Sequence, residues 1–275
     1  MSRPFLKMNG LGNDFVVVEA RESPFRPGPE ETRAIADRER GIGCDQLIGI
    51  EPSANADAFM RIWNADGSEV DACGNATRCV GWLLLEAGGR EAASIETAAG
   101  LLHVRRAGER LVAVDMGEPR LDWRSIPLAE EMDTRGIELQ VGPIDAPILH
   151  TPGCVSMGNP HVVFFVPDAE TAPVRQVGPM IEHHHLFPER TNVGFAEIKD
   201  RGRIRLRVWE RGAGETLACG TGACAALVAA ARRGLTDRKA VIEMNGGKLT
   251  VEWREADNRV LMTGPVALEF TGTLP

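Results

Sequence analysis

The sequence contains no tyrosine and only four lysines, Lys7, Lys199, Lys239 and Lys248. A pyridoxal-dependent racemase draws its bases and its Schiff-base anchor from these residue types, so both shortages argue against that chemistry and no cofactor is expected. No apolar run approaches the roughly 18 to 20 residues of a membrane span, and the opening MSRPFLKMNG lacks the apolar stretch of a secretory signal. No membrane partner is expected, and a cytoplasmic location is the default. An excess of basic charge is lacking as well: 31 Lys and Arg against 39 Asp and Glu give a net charge of −8, and no basic block occurs, which argues against a nucleic-acid partner. Short-spaced cysteine pairs are missing too. Cys73 and Cys79 stand six apart and Cys219 and Cys224 five apart, which completes no zinc set, so no metal is expected. Without a Cys-x-x-Cys segment a thiol–disulfide oxidoreductase is also disfavoured. In a reducing compartment the six cysteines are fillers or reactive groups rather than a disulfide framework.

What the sequence does contain is a copy of itself. Met60-Arg61-Ile62-Trp63 matches Leu206-Arg207-Val208-Trp209, and Ala72-Cys73-Gly74 matches Ala218-Cys219-Gly220, at one offset of 146 residues. The same offset lays Gly12-Asn13-Asp14-Phe15-Val16-Val17 on Gly158-Asn159-Pro160-His161-Val162-Val163, and Gln46-Leu47 on Asn192-Val193. With Met60 to Gly74 counted as one continuous block, three separated blocks in one register identify a duplicated half; a period this long excludes a solenoid and makes a pair of lobes. A chain of 275 residues suits two such domains. The expected division is an N-terminal lobe over 1–117, a C-terminal lobe over 118–264 and a tail over 265–275 that returns to the first lobe.

Short β-rich runs recur in both halves, at Phe15 to Val18, Leu47 to Ile50, Phe59 to Trp63, Leu101 to Val104 and Val112 to Asp115, then Val162 to Val166, Ile204 to Trp209 and Leu249 to Trp253. Just past each repeated cysteine the period becomes helical, over Ala76 to Ala87 and the alanine-rich Gly222 to Arg233. The pattern predicts an α+β fold: two pseudo-twofold-related lobes, each a mostly antiparallel sheet wrapped around one central helix.

Glycines surround both cysteines, so the backbone can approach a ligand closely there. A helix N-terminus carries unpaired N–H groups and about half a positive charge, which stabilises a thiolate and binds a carboxylate. The expectation is that Cys73 and Cys219 are acid–base groups with a pKa lowered from about 8.5, while Gly74, Asn75, Gly220 and Thr221 hold a carboxylate. A lone cysteine at such a position is more often packing. Recurrence at the same register in both halves reverses that judgement for this pair, whereas Cys44, Cys79, Cys154 and Cys224 read as fillers. The run His183-His184-His185 reads as a solvated helix end rather than a metal site.

The motifs carry a resemblance over essentially the full length. Met8-Asn9-Gly10-Leu11-Gly12-Asn13-Asp14-Phe15, the pair Asn64-Ala65-Asp66-Gly67-Ser68-Glu69 and Asp71-Ala72-Cys73-Gly74-Asn75, and the stretch from Glu210-Arg211-Gly212 to Ala218-Cys219-Gly220-Thr221-Gly222 resemble the motifs of the diaminopimelate epimerase family; Asn159-Pro160-His161 and Arg190-Thr191-Asn192 complete the set. The resemblance implies epimerisation of LL-2,6-diaminopimelate to meso-diaminopimelate, in lysine and peptidoglycan-precursor synthesis, with neither pyridoxal phosphate nor metal. It further implies Cys73 and Cys219 as the proton carriers, and Asn13, Gln46, Asn64, Asn159, Asn192, Glu210 and Arg211 as contacts to diaminopimelate. His161 and Glu210 are candidates for tuning the thiols. A homodimer is an allowed assembly. Cys44 and Ala76 depart from the family pattern without touching an assigned role. A proline racemase-like enzyme would use the same paired cysteines, but Glu210 opposite Asn64 and Arg211 opposite Ala65 add charge that a small cyclic substrate does not need.

Overall fold

Alternation of burial along the chain makes the strands. Ala58–Asn64 buries Ala58, Met60 and Ile62, and its repeat mate Arg203–Glu210 buries Ile204, Leu206 and Val208, the period of two that a sheet with one covered face requires. The computed structural model describes residues 3–274 and forms two units, residues 3–115 with 263–274, and residues 116–262.

The first unit runs β1 (Pro4–Asn9), β2 (Asp14–Glu19), α1 (Pro29–Ala36), β3 (Gln46–Glu51), β4 (Ala58–Asn64), β5 (Glu69–Val70), α2 (Gly74–Gly88), β6 (Ala92–Thr97), β7 (Gly100–Gly108) and β8 (Leu111–Asp115). Strand β1 pairs antiparallel with β2 and with the chain's last strand, Ala267–Thr273. Strand β2 runs parallel to β3, β3 antiparallel to β4, β4 antiparallel to β5 and parallel to β6, and β6, β7 and β8 form an antiparallel meander.

The second unit starts with two short strands, β9 (Gln140–Val141) and β10 (Leu149–His150), and then restates the order of the first. Its elements are β11 (Gly153–Ser156), β12 (Pro160–Phe165), α3 (Val174–Glu182), β13 (Asn192–Asp200), β14 (Arg203–Glu210), β15 (Gly214–Thr216), α4 (Gly220–Arg232), β16 (Lys239–Met244) and β17 (Gly247–Trp253). Pairing is antiparallel for β11–β12, β13–β14, β14–β15 and β16–β17 and parallel for β12–β13 and β14–β16. Even the register repeats: Phe15 lies opposite Gln46, and His161 opposite Asn192. The fold is a duplicated α+β fold with mostly antiparallel pairing, as the sequence pattern predicts.

Helix α2 packs on β6, β7 and β8, and α4 on β11 to β14, β16 and β17. Every residue of α4 from Gly222 to Ala230 is buried. Alanine suits that position because it lets strands approach while keeping high helix propensity; a methyl at Gly153 would lie 3.2 Å from the Ala229 side chain. Helix α2 ends in a left-handed Gly89 (φ 57°), with the Arg90 N–H donating to Leu85 O at 3.0 Å.

Each unit also carries a short helix beyond those expected, α1 and α3, at matching places in the repeat. Gly28-Pro29-Glu30-Glu31 is a helix start in miniature, with Pro in the first turn and acids beside the positive end of the dipole. Pro179 inside α3 hides the second copy from a periodicity reading. Both helices supply core: Ile35 and Ala36 pack with Val16, Leu47 and Trp63, and Val174, Val177 and Ile181 pack with Val162, Phe164 and Phe195.

Candidate active site

The two repeated cysteines are the N-caps of α2 and α4, with extended backbone (φ −147°, ψ 112° at Cys73; φ −128°, ψ 110° at Cys219). The Thr77 N–H closes on Cys73 O and the Ala223 N–H on Cys219 O, each at 2.9 Å. The N–H groups of the preceding residues of each first turn therefore have no main-chain acceptor within their helix. Gly74 and Gly220 open the helices, and a methyl at Gly220 would press to 2.9 Å from the Met262 sulfur.

In the first unit a turn brings Asn13 to Cys73. Gly12 has φ 82°, and its repeat mate Gly158 has φ 95°, a left-handed conformation that explains why glycine precedes asparagine in both copies. Gly10 lacks a side chain for another reason: a methyl there would sit 2.9 Å from Asn75 O at the start of α2. The Cys73 thiol faces Asn13 Oδ1 at 3.8 Å. Asn13 Nδ2 in turn donates to Asp45 Oδ2 at 2.7 Å, and Asp45 accepts from Arg38 at 2.7 Å. Arg38 also grips Asp14 with two bonds of 2.8 and 3.0 Å, and the buried Lys7 donates to Asp14 at 2.6 Å. Burial would raise the Asp14 carboxyl, but the Arg38 and Lys7 cations outweigh it and hold the group well below the usual carboxylate range.

Asp45, Arg38 and Lys7 escape a reading by motif because none of them has a charged mate in the second copy; Asp45 falls opposite Thr191. The available signal was the position of Asp45 next to Gln46 in a repeated block.

Gln46 and Asn64 face each other across β3 and β4, with Gln46 Nε2 donating to Asn64 Oδ1 at 3.1 Å and Asn64 Nδ2 donating to Ser68 Oγ at 3.1 Å. The buried carbonyl oxygens Gln46 Oε1 and Asn75 Oδ1 have no hydrogen-bond partner among the described residues. An unpaired buried acceptor costs about 1–3 kcal/mol, so both sites favour a ligand that brings donors.

The second unit treats its cysteine differently. Cys219 is only 4% exposed and accepts the Gly222 N–H at 3.4 Å. Its sulfur lies 3.6 Å from Thr221 Oγ1, which receives Asn159 Nδ2 at 3.4 Å, and Asn159 Oδ1 meets His161 Nε2 at 3.1 Å. Glu210 hydrogen-bonds the thiol from the end of β14 and also accepts Thr216 Oγ1 at 2.5 Å. Burial first, and the Glu210 charge second, push the Cys219 thiol well above its ordinary pKa. For Cys219 this corrects the expectation of a lowered value: the helix N-terminus is outweighed by removal from water and by an adjacent carboxylate. His161 is held far down, to about 3, by burial and then by the Arg211 cation, so it is neutral. Asn159 and Thr221 link it to Cys219.

Asn192 is buried and engaged with main-chain atoms, donating to Pro160 O at 2.8 Å and accepting the Arg211 N–H at 3.0 Å. Arg211 is exposed, and its guanidinium donates to Glu189 O at 2.9 Å. The remaining cysteines sit in packing. Burial raises the thiols of Cys44 (to about 11), Cys79 (to about 12) and Cys154, and Cys224 lies buried inside α4. Among the described residues no group of three or more His, Cys, Asp or Glu could hold a metal ion, and no helix is long and apolar enough to cross a membrane.

Comparison with known proteins adds an independent line. The family model for diaminopimelate epimerase matches residues 5–121 and again 153–269. Curated relatives named diaminopimelate epimerase include one from Phenylobacterium zucineum, 65% identical over 100% of this chain and 99% of the relative, and one from Caulobacter sp. (strain K31), 63% identical over 100% and 98%. Among solved structures, a Bacillus anthracis phenazine biosynthesis protein is similar with TM-score 0.69 at 17% identity, covering 100% of this chain and 99% of that one. A hydroxyproline epimerase from Agrobacterium vitis is similar with TM-score 0.68 at 18% identity, covering 99% and 91%. At such low identity these two structures speak for the fold alone.

Proposed function

The chain belongs to the diaminopimelate epimerase family, and from that premise we propose that Cys73 and Cys219 are its acid–base pair, acting on opposite faces of one substrate carbon. The enzyme is an isomerase that epimerises LL-2,6-diaminopimelate to meso-diaminopimelate in lysine biosynthesis. The observation that carries the assignment of the pair is the repeated placement of each thiol as the N-cap of a helix in a glycine-rich turn. A cytoplasmic location suits a biosynthetic enzyme of this kind.

In one direction the Cys73 thiolate takes the α-proton, leaving a carbanion, and the Cys219 thiol gives a proton to the opposite face; inverted product, a Cys73 thiol and a Cys219 thiolate result. The reverse direction exchanges the roles. The raised pKa of Cys219 supports its start as the acid, with Glu210 as the carboxylate that accepts the thiol hydrogen bond. Charge that spreads into the substrate carboxylate meets the N–H groups of Gly74, Asn75, Gly220 and Thr221, which need no reorganisation at the moment of transfer. Gln46, Asn64, Asn75 and Asn159 supply amide groups for the substrate's amines and carboxylates, and Asn192 holds the turn of Arg211, whose guanidinium grips the distal carboxylate.

The test is isotopic. Epimerisation in D₂O is expected to give early product carrying deuterium at the inverted carbon while unreacted substrate keeps its proton. Product that retains the substrate hydrogen would point to a single base working on both faces.

A further inference from the structure

We propose that Glu182 is a positioning residue for substrate binding, which it serves by fixing the turn that carries Glu210 and Arg211. The proposal rests on the reading of Arg211 as the distal-carboxylate contact and goes beyond it, since Glu182 is assigned no role there.

Glu182 is the last residue of α3 and is 3% exposed. Its two carboxylate oxygens are used in two directions: Oε2 accepts the Trp209 indole N–H at 2.7 Å and Oε1 accepts the Gly212 main-chain N–H at 3.0 Å. Trp209 and Gly212 flank Glu210 and Arg211, so one carboxylate clamps the turn from both sides. A carboxylate is the side chain for this task, because each donor needs its own acceptor and an amide offers only one oxygen.

The helix is seated for the purpose. A methyl at Gly178 would come within 2.5 Å of the Trp209 ring, so glycine is what lets α3 lie flat on the indole. One helical turn later, Glu182 reaches the N–H at the ring's edge. Arg211 gains two further restraints, from Asn192 Oδ1 to its N–H and from Glu189 O to its guanidinium.

The first unit shows what this clamp adds. There the matching turn, Asn64 to Ser68, has internal bonds from Asn64 N–H to Ser68 O at 2.8 Å and from Ser68 N–H to Asp66 Oδ1 at 2.8 Å, and its outside contacts are to main-chain atoms: the Arg33 guanidinium donates to Asp66 O at 2.9 Å and the Ala65 N–H donates to Asp45 O at 3.2 Å. The residue 146 positions before Glu182 is Ala36, which has no polar side chain. Among the described residues, the arginine-bearing copy is the one whose turn is held by a buried carboxylate that accepts from both of its flanks.

The experiment is a double-mutant cycle on the full chain with LL-diaminopimelate, comparing wild type, E182Q, R211A and E182Q/R211A. Glu182→Gln keeps the shape but loses one acceptor and sets an amide donor against a donor. We expect E182Q to raise KM about tenfold with a smaller change in kcat, and to have little further effect once Arg211 is gone, because residues acting through one contact are not additive. An unchanged KM in E182Q, or an effect fully retained in the R211A background, overturns the proposal. If R211A itself leaves KM unchanged, the reading of Arg211 fails instead, and the two failures are thus distinguishable. Should E182Q not fold, hydrogen exchange of the wild-type protein decides: the Gly212 N–H is expected to be protected although Gly212 is exposed, and exchange at the rate of a free turn amide overturns the clamp.

Discussion

The two units share one order of strands and helices, yet they surround their cysteines with opposite chemistry. Cys73 is partly exposed and faces an asparagine tied to a charged network of Asp45, Arg38, Asp14 and Lys7. Cys219 is buried, lies against Glu210, and reaches a neutral histidine through Thr221 and Asn159. A duplicated scaffold repeats what the backbone needs, namely the left-handed glycine before each asparagine and the open first turn of each helix. What differs is the side chains that set charge, and that is where the proposed proton transfer and an asymmetric substrate would need difference.

The largest test removes the shared part. If the proposed pair is right, Cys73→Ala or Cys219→Ala is expected to lower kcat by at least the 10²–10⁴-fold typical of a general acid–base group, and by similar factors for the two sites. Steady-state rates with LL-diaminopimelate check this, and a variant that keeps a tenth of the wild-type rate would remove its cysteine from the pair.

Glu210→Gln sharpens the contrast at one copy. Loss of about a hundredfold in kcat is expected, within the general acid–base range. Because the Glu210 charge raises the Cys219 thiol, its removal should lower that pKa and move the alkaline limb of the rate–pH profile to lower pH. Asn64→Ala, at the matching position, carries no charge to lose and should leave the limbs in place. If the limbs coincide in E210Q and wild type, the carboxylate does not act on this thiol.

Asp45→Asn addresses the other copy. It keeps one acceptor but loses the charge that holds Asn13 and pairs with Arg38, and a charge-assisted bond of this kind is worth about 1.5–3 kcal/mol, so a loss of about tenfold in kcat/KM is expected. Activity at the wild-type level would show that Asn13 is oriented without Asp45.

The smallest effect concerns stability. The folded-state pKa of His161 is depressed from 6.5 to about 3, so the native protein keeps it neutral while the unfolded chain binds a proton below about pH 6.5. This contribution is complete above pH 6.5 and falls away toward pH 3, by at most about 1.4 kcal/mol per pH unit. His161→Phe, which copies the residue at Phe15, should flatten that part of the profile. Urea unfolding at pH 7, 6 and 5 checks it, and parallel profiles for variant and wild type would refute the buried neutral state.

Much of this was legible in the chain. The constant offset of Cys73 and Cys219 located the duplication, and the alternation in Phe59 to Trp63 and its mate located strands, because period-two burial is a local property of the residues. The helices after each cysteine were legible for the same reason. The short helices α1 and α3 were not, since eight or nine residues containing or following proline carry too little periodicity.

The sequence by itself determined which groups could do chemistry, because residue type, repetition and glycine spacing are written in order along the chain. Only the tertiary structure decided their state. The pKa of Cys219 depends on burial and on Glu210, nine residues earlier, and the setting of Cys73 depends on Asn13 and Asp45, 60 and 28 residues earlier. Desolvation and charge act through space, so a helix N-terminus that favours a thiolate in isolation can be overruled by neighbours that no local pattern brings together.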